Sequence, residues 1–545
     1  MTTSLDVARQ PWLVRTRSAA ERAWDRIDRA VLRFQGRVDT PGYDRWLPYG
    51  FALLHAAILA LLVLARFHSL DLGADTARYA QATWQISEGL RPDTSLAGGN
   101  VVSQQGSLIL YPLSVVTSIL PRIETLLVLK ALALAWAIVP LWRIARRHGR
   151  LGIGASSAVV FAFSTSSAVH YMNAADFAPA ILAVPALMWA VLAGLDDREN
   201  VVVVASVIAL ACRADLGLAI AGLGILLLLQ SRRRAGVVAL LLGLGWFLVA
   251  MYGLQPWLGD GSYSFLEPYS DFGRTPLRAL WGIVSHPVRF ATIVGSLANF
   301  QVLVSLLAPV LFLPLTAPRF LLPAVPLYVL YMGADVPEGR LSEAAQNVPI
   351  TVFIFVATIF ALQRSGRTLV SQVRVDRRLV IALLLTAVVF FVRDSPTSPY
   401  REPWQWGDRD ATDQARVSAV DLLPNTDEPV RASGALLPLL SERLGIYELD
   451  TSAATLGVIT ELGVDEEIDA EPAVGDLDAV IEAAVADVDW LLYDTTTEAL
   501  GESEVDTFRA RLRERGWKRI ERVEGIDVWQ FTGVVESGSL LLIPE

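Results

Sequence analysis

Cysteine and lysine are almost missing from this chain. Cys212 is the single thiol, so no intramolecular disulfide can form in any compartment. Lys130 and Lys518 are the two lysines among 46 basic residues. Charge is scarce as well, at 19 % of 545 residues, where soluble globular chains run to roughly a quarter. Set against 53 % hydrophobic residues and a mean hydropathy of +0.43, that scarcity excludes an ordinary soluble enzyme. Disordered, collagenous and disulfide-scaffold classes fall with it. The net charge of −10 excludes a generally basic nucleic-acid binder, but it averages two unlike parts. Residues 394–545 hold 33 acidic and 12 basic residues, net −21, which leaves 23 acidic against 34 basic residues, net +11, before them. A basic, apolar body precedes an acidic, soluble end.

The body is a series of apolar runs of near-spanning length. They cover 49–67, 123–143, 152–170, 177–195, 236–258, 292–314, 318–333, 347–363 and 378–393. The 31-residue run 200–230 is interrupted by Arg213, Asp215 and Gly217 and reads as two short spans meeting at that break. Residues 108–121, with Pro112, read as a re-entrant or juxtamembrane helix. Arginine clusters at 143–150, 232–234 and 364–378 are expected to face the cytoplasm. About eleven spans satisfy all three; a rival count, with 108–121 crossing and 200–230 crossing once, leaves the first cluster outside. Within residues 1–48, Trp24, Ile27, Val31 and Phe34 recur at helical spacing among arginines. That pattern predicts a cytoplasmic amphipathic helix on an anionic membrane face, with no secretory signal. The body is then 49–393, and 394–545 is an extracytoplasmic domain. There a strand over Pro429–Ser433, a helix over 435–443, a strand over Val488–Tyr493, a helix over 503–515 and a strand over 527–532 predict a small α/β layer.

Charged residues at the outer rim of such a body are the candidates for chemistry, because charge near a membrane is costly to keep. In the stretch from Asp71 to Trp84, a helix places Asp71, Asp75, Arg78 and Gln81 on one face. Two carboxylates beside an arginine can activate a hydroxyl, bind a cation or form an ion pair. Arg213 and Asp215 can bind an anion or cap two half-helices. Asp176 can act in chemistry or cap the span that follows it. Glu267 and Tyr269 can line an acceptor groove or decorate a loop. His170 and His286 are isolated and predict no metal site.

Asp75-Thr-Ala-Arg78-Tyr-Ala-Gln81-Ala-Thr-Trp84 resembles the Asp-Leu-Gly-x-x-x-Gln-x-x-Trp signature of a large prokaryotic membrane-protein family of unknown function that is grouped with the GT-C glycosyltransferases. Further blocks match in order. Asp176-Phe-Ala-Pro179 is similar to Asp-Phe-His-Pro, and Arg213-Ala-Asp215-Leu-Gly217 to Lys-Glu-Asp-x-Gly. Tyr263 to Tyr269 and Pro314 to Arg319 are similar to its later blocks. Gln105 and Ala178 stand where the family has histidines, so imidazole chemistry is not expected. The resemblance implies an inverting transferase that moves a sugar from a polyprenyl-phosphate donor to a glycan, lipid or protein acceptor at the outer leaflet. It makes Asp75 the base, with Asp71 second, and gives Asp176 the acceptor or a divalent cation, the one cofactor left open. Arg213, held by Asp215, takes the lipid phosphate with Arg78 and Gln81; Glu267 and Tyr269 serve the acceptor. A transporter or flippase of lipid-linked cargo and a catalytically inactive envelope scaffold are the competing expectations.

Overall fold

The computed structural model describes residues 39–259, 269–334, 344–369, 372–399, 407–424, 428–449, 481–497 and 502–533. Most of the expected N-terminal amphipathic helix (1–38) and Glu267 lie outside these residues. Helix α1 (Pro41–His68) starts with proline in its first turn, where a missing N–H leaves no hydrogen bond unmade. Helix α2 (Ala74–Ser87) follows it and is short and amphipathic. Helix α3 (Arg122–His148) is long and apolar. Then come the bent pair α4 (Ile153–Ser164) and α5 (Ser167–Ala174), α6 (Pro179–Leu195), α7 (Glu199–Cys212), α8 (Leu216–Leu229) and α9 (Arg233–Leu258). A second bent pair, α10 (Pro287–Val294) and α11 (Leu297–Val310), precedes α12 (Val325–Gly333), α13 (Ala344–Ser365) and α14 (Arg377–Asp394).

Among the described residues, α1, α3 and α9 are by length and apolarity long enough to cross a bilayer, and up to five spans result if each bent pair counts as one. The expected eleven is larger because polar and proline breaks divide the rest into shorter pieces. Thr165 and Ser166 separate α4 from α5, which meet at 40°. Arg213 to Asp215 separates two helices of 14 residues, about 21 Å each at 1.5 Å per residue. Residues 110–117 form an eight-residue helix, too short to cross. Helices α8 and α9 pack most closely: a Cβ on Gly243 would lie 2.4 Å from the Gly217 carbonyl oxygen, an approach that only small residues permit.

The body has two chemically distinct ends. At one, Arg146 pairs with Asp39 (2.5 Å) and Asp44 (2.8 Å), and Asp196 gathers Arg147 (3.2 Å) and His148 (2.8 Å). Asp197 meets Arg232 (3.7 Å). The Val373 amide donates to the Arg150 carbonyl (2.8 Å), and the Gln363 side chain to that of His148 (2.9 Å). All three arginine clusters therefore gather at one end. At the other end, the His68 ring meets the Gly407 carbonyl (2.7 Å), and Arg122 pairs with Glu442 (3.0 Å).

Those last contacts belong to the C-terminal part, a five-stranded sheet. Its strands are β1 (Val430–Ala432), β2 (Ile446–Glu448), β3 (Trp490–Asp494), β4 (Trp517–Val523) and β5 (Ile526–Phe531), in the order β2-β1-β3-β5-β4. β2, β1 and β3 are parallel, and β5 runs antiparallel to both its neighbours. Alternation along β3 sends Trp490 and Leu492 to one face, with Ala415 and Leu436, and Leu491 and Tyr493 to the other, with Phe508 and Trp529. Helices α15 (Ala411–Asp421) and α16 (Glu502–Glu514) cover these faces. The helix predicted over 435–443 is a 3₁₀ segment, Gly434–Leu440, with Pro438 inside it. Ala77 of α2 belongs to the first of these cores, so the sheet and the body share buried surface.

Candidate functional site

Residues 71–87 run along the end of the body that carries the sheet. Helix α2 has no side-chain cap of its own. Asp176 supplies one from 100 residues away: its carboxylate accepts from the Gly73 amide (2.9 Å) and the Asp75 amide (3.2 Å). A carboxylate at a helix N-terminus meets unpaired N–H groups and the positive end of the dipole. The Phe177 amide adds a bond to Thr76 Oγ1 (3.0 Å), and the Phe177 ring meets Tyr79 edge-on at 5.8 Å. Asp176 thus caps α2 and not the helix that follows it in sequence. Behind it, the fully buried Lys130 donates to the Ala175 carbonyl (2.6 Å) and fixes the backbone from which Asp176 reaches out.

This cap presents Asp75. Its carboxylate pairs with Arg78 at 2.8 Å, one turn along, and keeps 59 % of its side-chain surface accessible. Desolvation by partial burial raises the Asp75 carboxyl above its ordinary value; Arg78 opposes that shift and Asp176 adds to it. Arg78 lies over the Tyr79 ring at 5.0 Å. The Tyr79 hydroxyl donates to Gln105 Oε1 (3.0 Å), so the residue standing in a family histidine position is a hydrogen-bond partner in this cluster.

Gln105 also connects to the break between α7 and α8, because its carbonyl accepts from the Ala214 amide (2.8 Å). The next residue, Gly106, has φ +71°, and a Cβ there would lie 2.8 Å from that of Ala214; only glycine allows the approach. At the break Arg213 is buried and bidentate to Asp215 (2.8 and 2.6 Å). Tyr331 of α12 donates to Asp215 (2.6 Å) and accepts from Arg213. Tyr269 donates to the Leu330 carbonyl beside it. Two polar groups, Asp176 with Asp75, Arg78, Tyr79 and Gln105, and Arg213 with Asp215 and Tyr331, are therefore joined through the backbone bond between Gln105 and Ala214, which forms part of one chain of contacts.

Two expected members stand apart from that chain. Asp71 pairs with Arg66 (2.6 Å). Gln81 is buried, and its amide nitrogen donates to Ser95 Oγ (3.1 Å) and to the carbonyls of Arg443 (2.9 Å) and Leu444 (3.0 Å). That commitment holds the sheet domain on α2. Among the described residues no three histidine, cysteine, aspartate or glutamate side chains are grouped to hold a metal ion. His170 is buried between Thr397 (2.6 Å) and the Ser164 carbonyl (2.8 Å). Sequence reasoning missed Tyr331, Tyr79 and Lys130. A lysine inside an apolar run, one of two in the chain, was a usable signal; a tyrosine in an apolar run was none.

A family model described as a predicted membrane protein (DUF2079) matches residues 66–514. Among solved structures the chain is similar to ArnT from Cupriavidus metallidurans in the apo state, at 14 % identity and a TM-score of 0.47, covering 89 % of this chain and 98 % of that one. The same protein bound to undecaprenyl phosphate gives 13 %, 0.46 and the same coverage. The arabinofuranosyltransferase AftD from Mycobacteria gives 15 % and 0.45, covering 88 % of this chain and 40 % of that one. No curated protein matches.

Proposed function

The chain belongs to the DUF2079 family of predicted membrane proteins, and from that premise we propose that it is an inverting membrane glycosyltransferase using a polyprenyl-phosphate-linked sugar. The observation that carries the reading is the Asp75 carboxylate, paired with Arg78 and presented by a helix whose N-terminus Asp176 holds. Asp75 takes the proton of an acceptor hydroxyl as that oxygen attacks the anomeric carbon. The bond from that carbon to the phosphate oxygen breaks, and polyprenyl phosphate leaves with its charge met by guanidinium. Arg213 has Nε and Nη2 committed to Asp215 and Tyr331, which leaves its Nη1 edge for phosphate oxygens. Arg78 is the second cation, nearer the base. Asp176 becomes a positioning residue. Glu267 and Tyr269 remain on the acceptor side.

The same reading sets the topology. The arginine-rich end faces the cytoplasm, and the sheet domain and Asp75 face outward. An odd number of passes follows, eleven in the count expected from the sequence.

Purified protein in lipid nanodiscs, given radiolabelled polyprenyl-phosphate sugars and envelope extract, is expected to transfer label to an acceptor. Asp75→Asn is expected to abolish transfer with an unchanged elution profile. Unconsumed donor, or normal transfer by the variant, refutes the reading. The bent pairs at α4–α5 (40°) and α10–α11 (48°) favour transport of a lipid-linked cargo as the second reading. Flipping of a fluorescent polyprenyl-phosphate sugar in proteoliposomes, equal in wild type and Asp75→Asn, identifies that case.

A further inference from the structure

We propose that the cleft between the membrane body and the sheet domain is a binding site for a neutral, polyhydroxylated ligand, a saccharide. Its volume is about 440 Å³, within the range of roughly 300–1,000 Å³ typical of small-molecule sites. Arg66, Asp71 and Asp176 form one wall; Arg416, Gly434 and Thr497 form the other. Gly434 lies just beyond the carboxyl end of β1, and Thr497 just beyond that of β3. These two strands are parallel neighbours. The chain leaves β1 toward β2 on one side and leaves β3 toward β4 and β5 on the other. In open sheets with parallel strands, the crevice at such a divergence is where ligands bind.

The sheet-side wall is fixed before any ligand arrives. Arg416 donates through Nε to the buried Asp494 (2.8 Å), through Nη1 to Asp413 (2.8 Å) and through Nη2 to Thr496 (3.4 Å). The Asp494 amide donates to Ser433 Oγ (3.1 Å), tying the ends of β1 and β3 together. On the body side Arg66 and Asp71 hold each other at 2.6 Å.

The charges select the ligand class. Among the described residues, two guanidinium groups and two carboxylates line the cleft and cancel. An anion placed there meets Asp71 and Asp176, and a cation meets Arg66 and Arg416. A hydroxyl both donates and accepts, so a polyol serves both kinds of wall at once. Among the described residues no aromatic ring lines the cleft to stack a nucleobase. Asp176 belongs both to this wall and to the α2 cap, so a ligand in the cleft is one carboxylate away from Asp75. That the saccharide is the acceptor of a transfer rests on the glycosyltransferase reading; that the cleft binds one does not.

The test is equilibrium binding to the full chain in nanodiscs, without donor. The probes are neutral gluco-, galacto- and manno-trisaccharides read by saturation-transfer NMR, with inorganic phosphate and spermidine as charged competitors. At least one trisaccharide is expected to bind, phosphate and spermidine are expected not to displace it, and Ala435→Trp, which fills the cleft, is expected to weaken it at least tenfold. Thr497→Tyr narrows the cleft from the other strand and carries the test if Ala435→Trp loses hydrogen-exchange protection of the sheet. No binding by wild type, binding undiminished in the folded variants, or displacement by either charged probe overturns the proposal. Binding retained without any transfer activity refutes the catalytic reading alone.

Discussion

Asp176→Ala tests the central structural argument, that one carboxylate from the α5–α6 connection holds the N-terminus of α2. The substitution removes both acceptors of the Gly73 and Asp75 amides, 2.9 and 3.2 Å from the carboxylate. Loss of a helix cap costs about 0.5–2 kcal/mol, and a hydrogen bond to a charged group contributes roughly 1.5–3 kcal/mol. The two bonds share one carboxylate and α2 has no side-chain cap of its own, so about 2 kcal/mol is a fair value for the site. At about 1.4 kcal/mol per factor of ten, the amides of the first turn exchange roughly 30-fold faster. The assay is hydrogen–deuterium exchange of the full chain in nanodiscs, read on peptides covering 71–80, with the α8–α9 pair as an internal reference. Asp176→Asn keeps one acceptor and turns an amide group toward the second N–H, so it falls between wild type and alanine. Unchanged protection in the first turn of α2, or an equal rise in the reference helices, refutes the local cap.

The remaining predictions are independent of that measurement. A base must be deprotonated to accept a proton, so transfer rises with pH through the raised Asp75 pKa. Arg78→Gln removes the cation that lowers this pKa and moves the rising limb to higher pH, whereas Asp176→Asn removes a like charge and moves it lower; a pH–rate profile of each variant checks the opposite signs. Gly106→Ala forces a Cβ toward Ala214 at a positive φ and lowers stability by about 1–2 kcal/mol, seen as a lower thermal midpoint. Ser95 Oγ donates to the Ile446 carbonyl (2.6 Å) and accepts from the Ile446 amide (2.8 Å), so Ser95→Ala uncovers the β2 edge and speeds exchange at Ile446 by roughly tenfold.

What the sequence made legible follows from what each signal depends on. Apolar runs and arginine clusters depend only on solvent, and they located the helices and gathered all three clusters at one end. Turn and strand chemistry placed β1, β3 and β5 to within a residue or two. β2 and β4 escaped because Ile446–Glu448 is three residues long and because Trp517–Val523 alternates a buried tryptophan with arginine and glutamate. The site was legible as residue types and not as partners. A helical wheel places Asp71 with Asp75, but α2 begins at Ala74, so Asp71 lies outside the helix that the wheel assumes and pairs with Arg66 instead. Asp176 carries the sharper lesson. A carboxylate ahead of an apolar helix has a local use, capping that helix, and nothing in the sequence distinguishes this from capping another one. The difference lies in Lys130: its bond to the Ala175 carbonyl holds the backbone beside Asp176 and lets the carboxylate face α2. A cation inside an apolar helix is costly and persists where a specific contact offsets that cost. In this body Lys130 marks the element on which the geometry of Asp75 depends, although no sequence motif includes it.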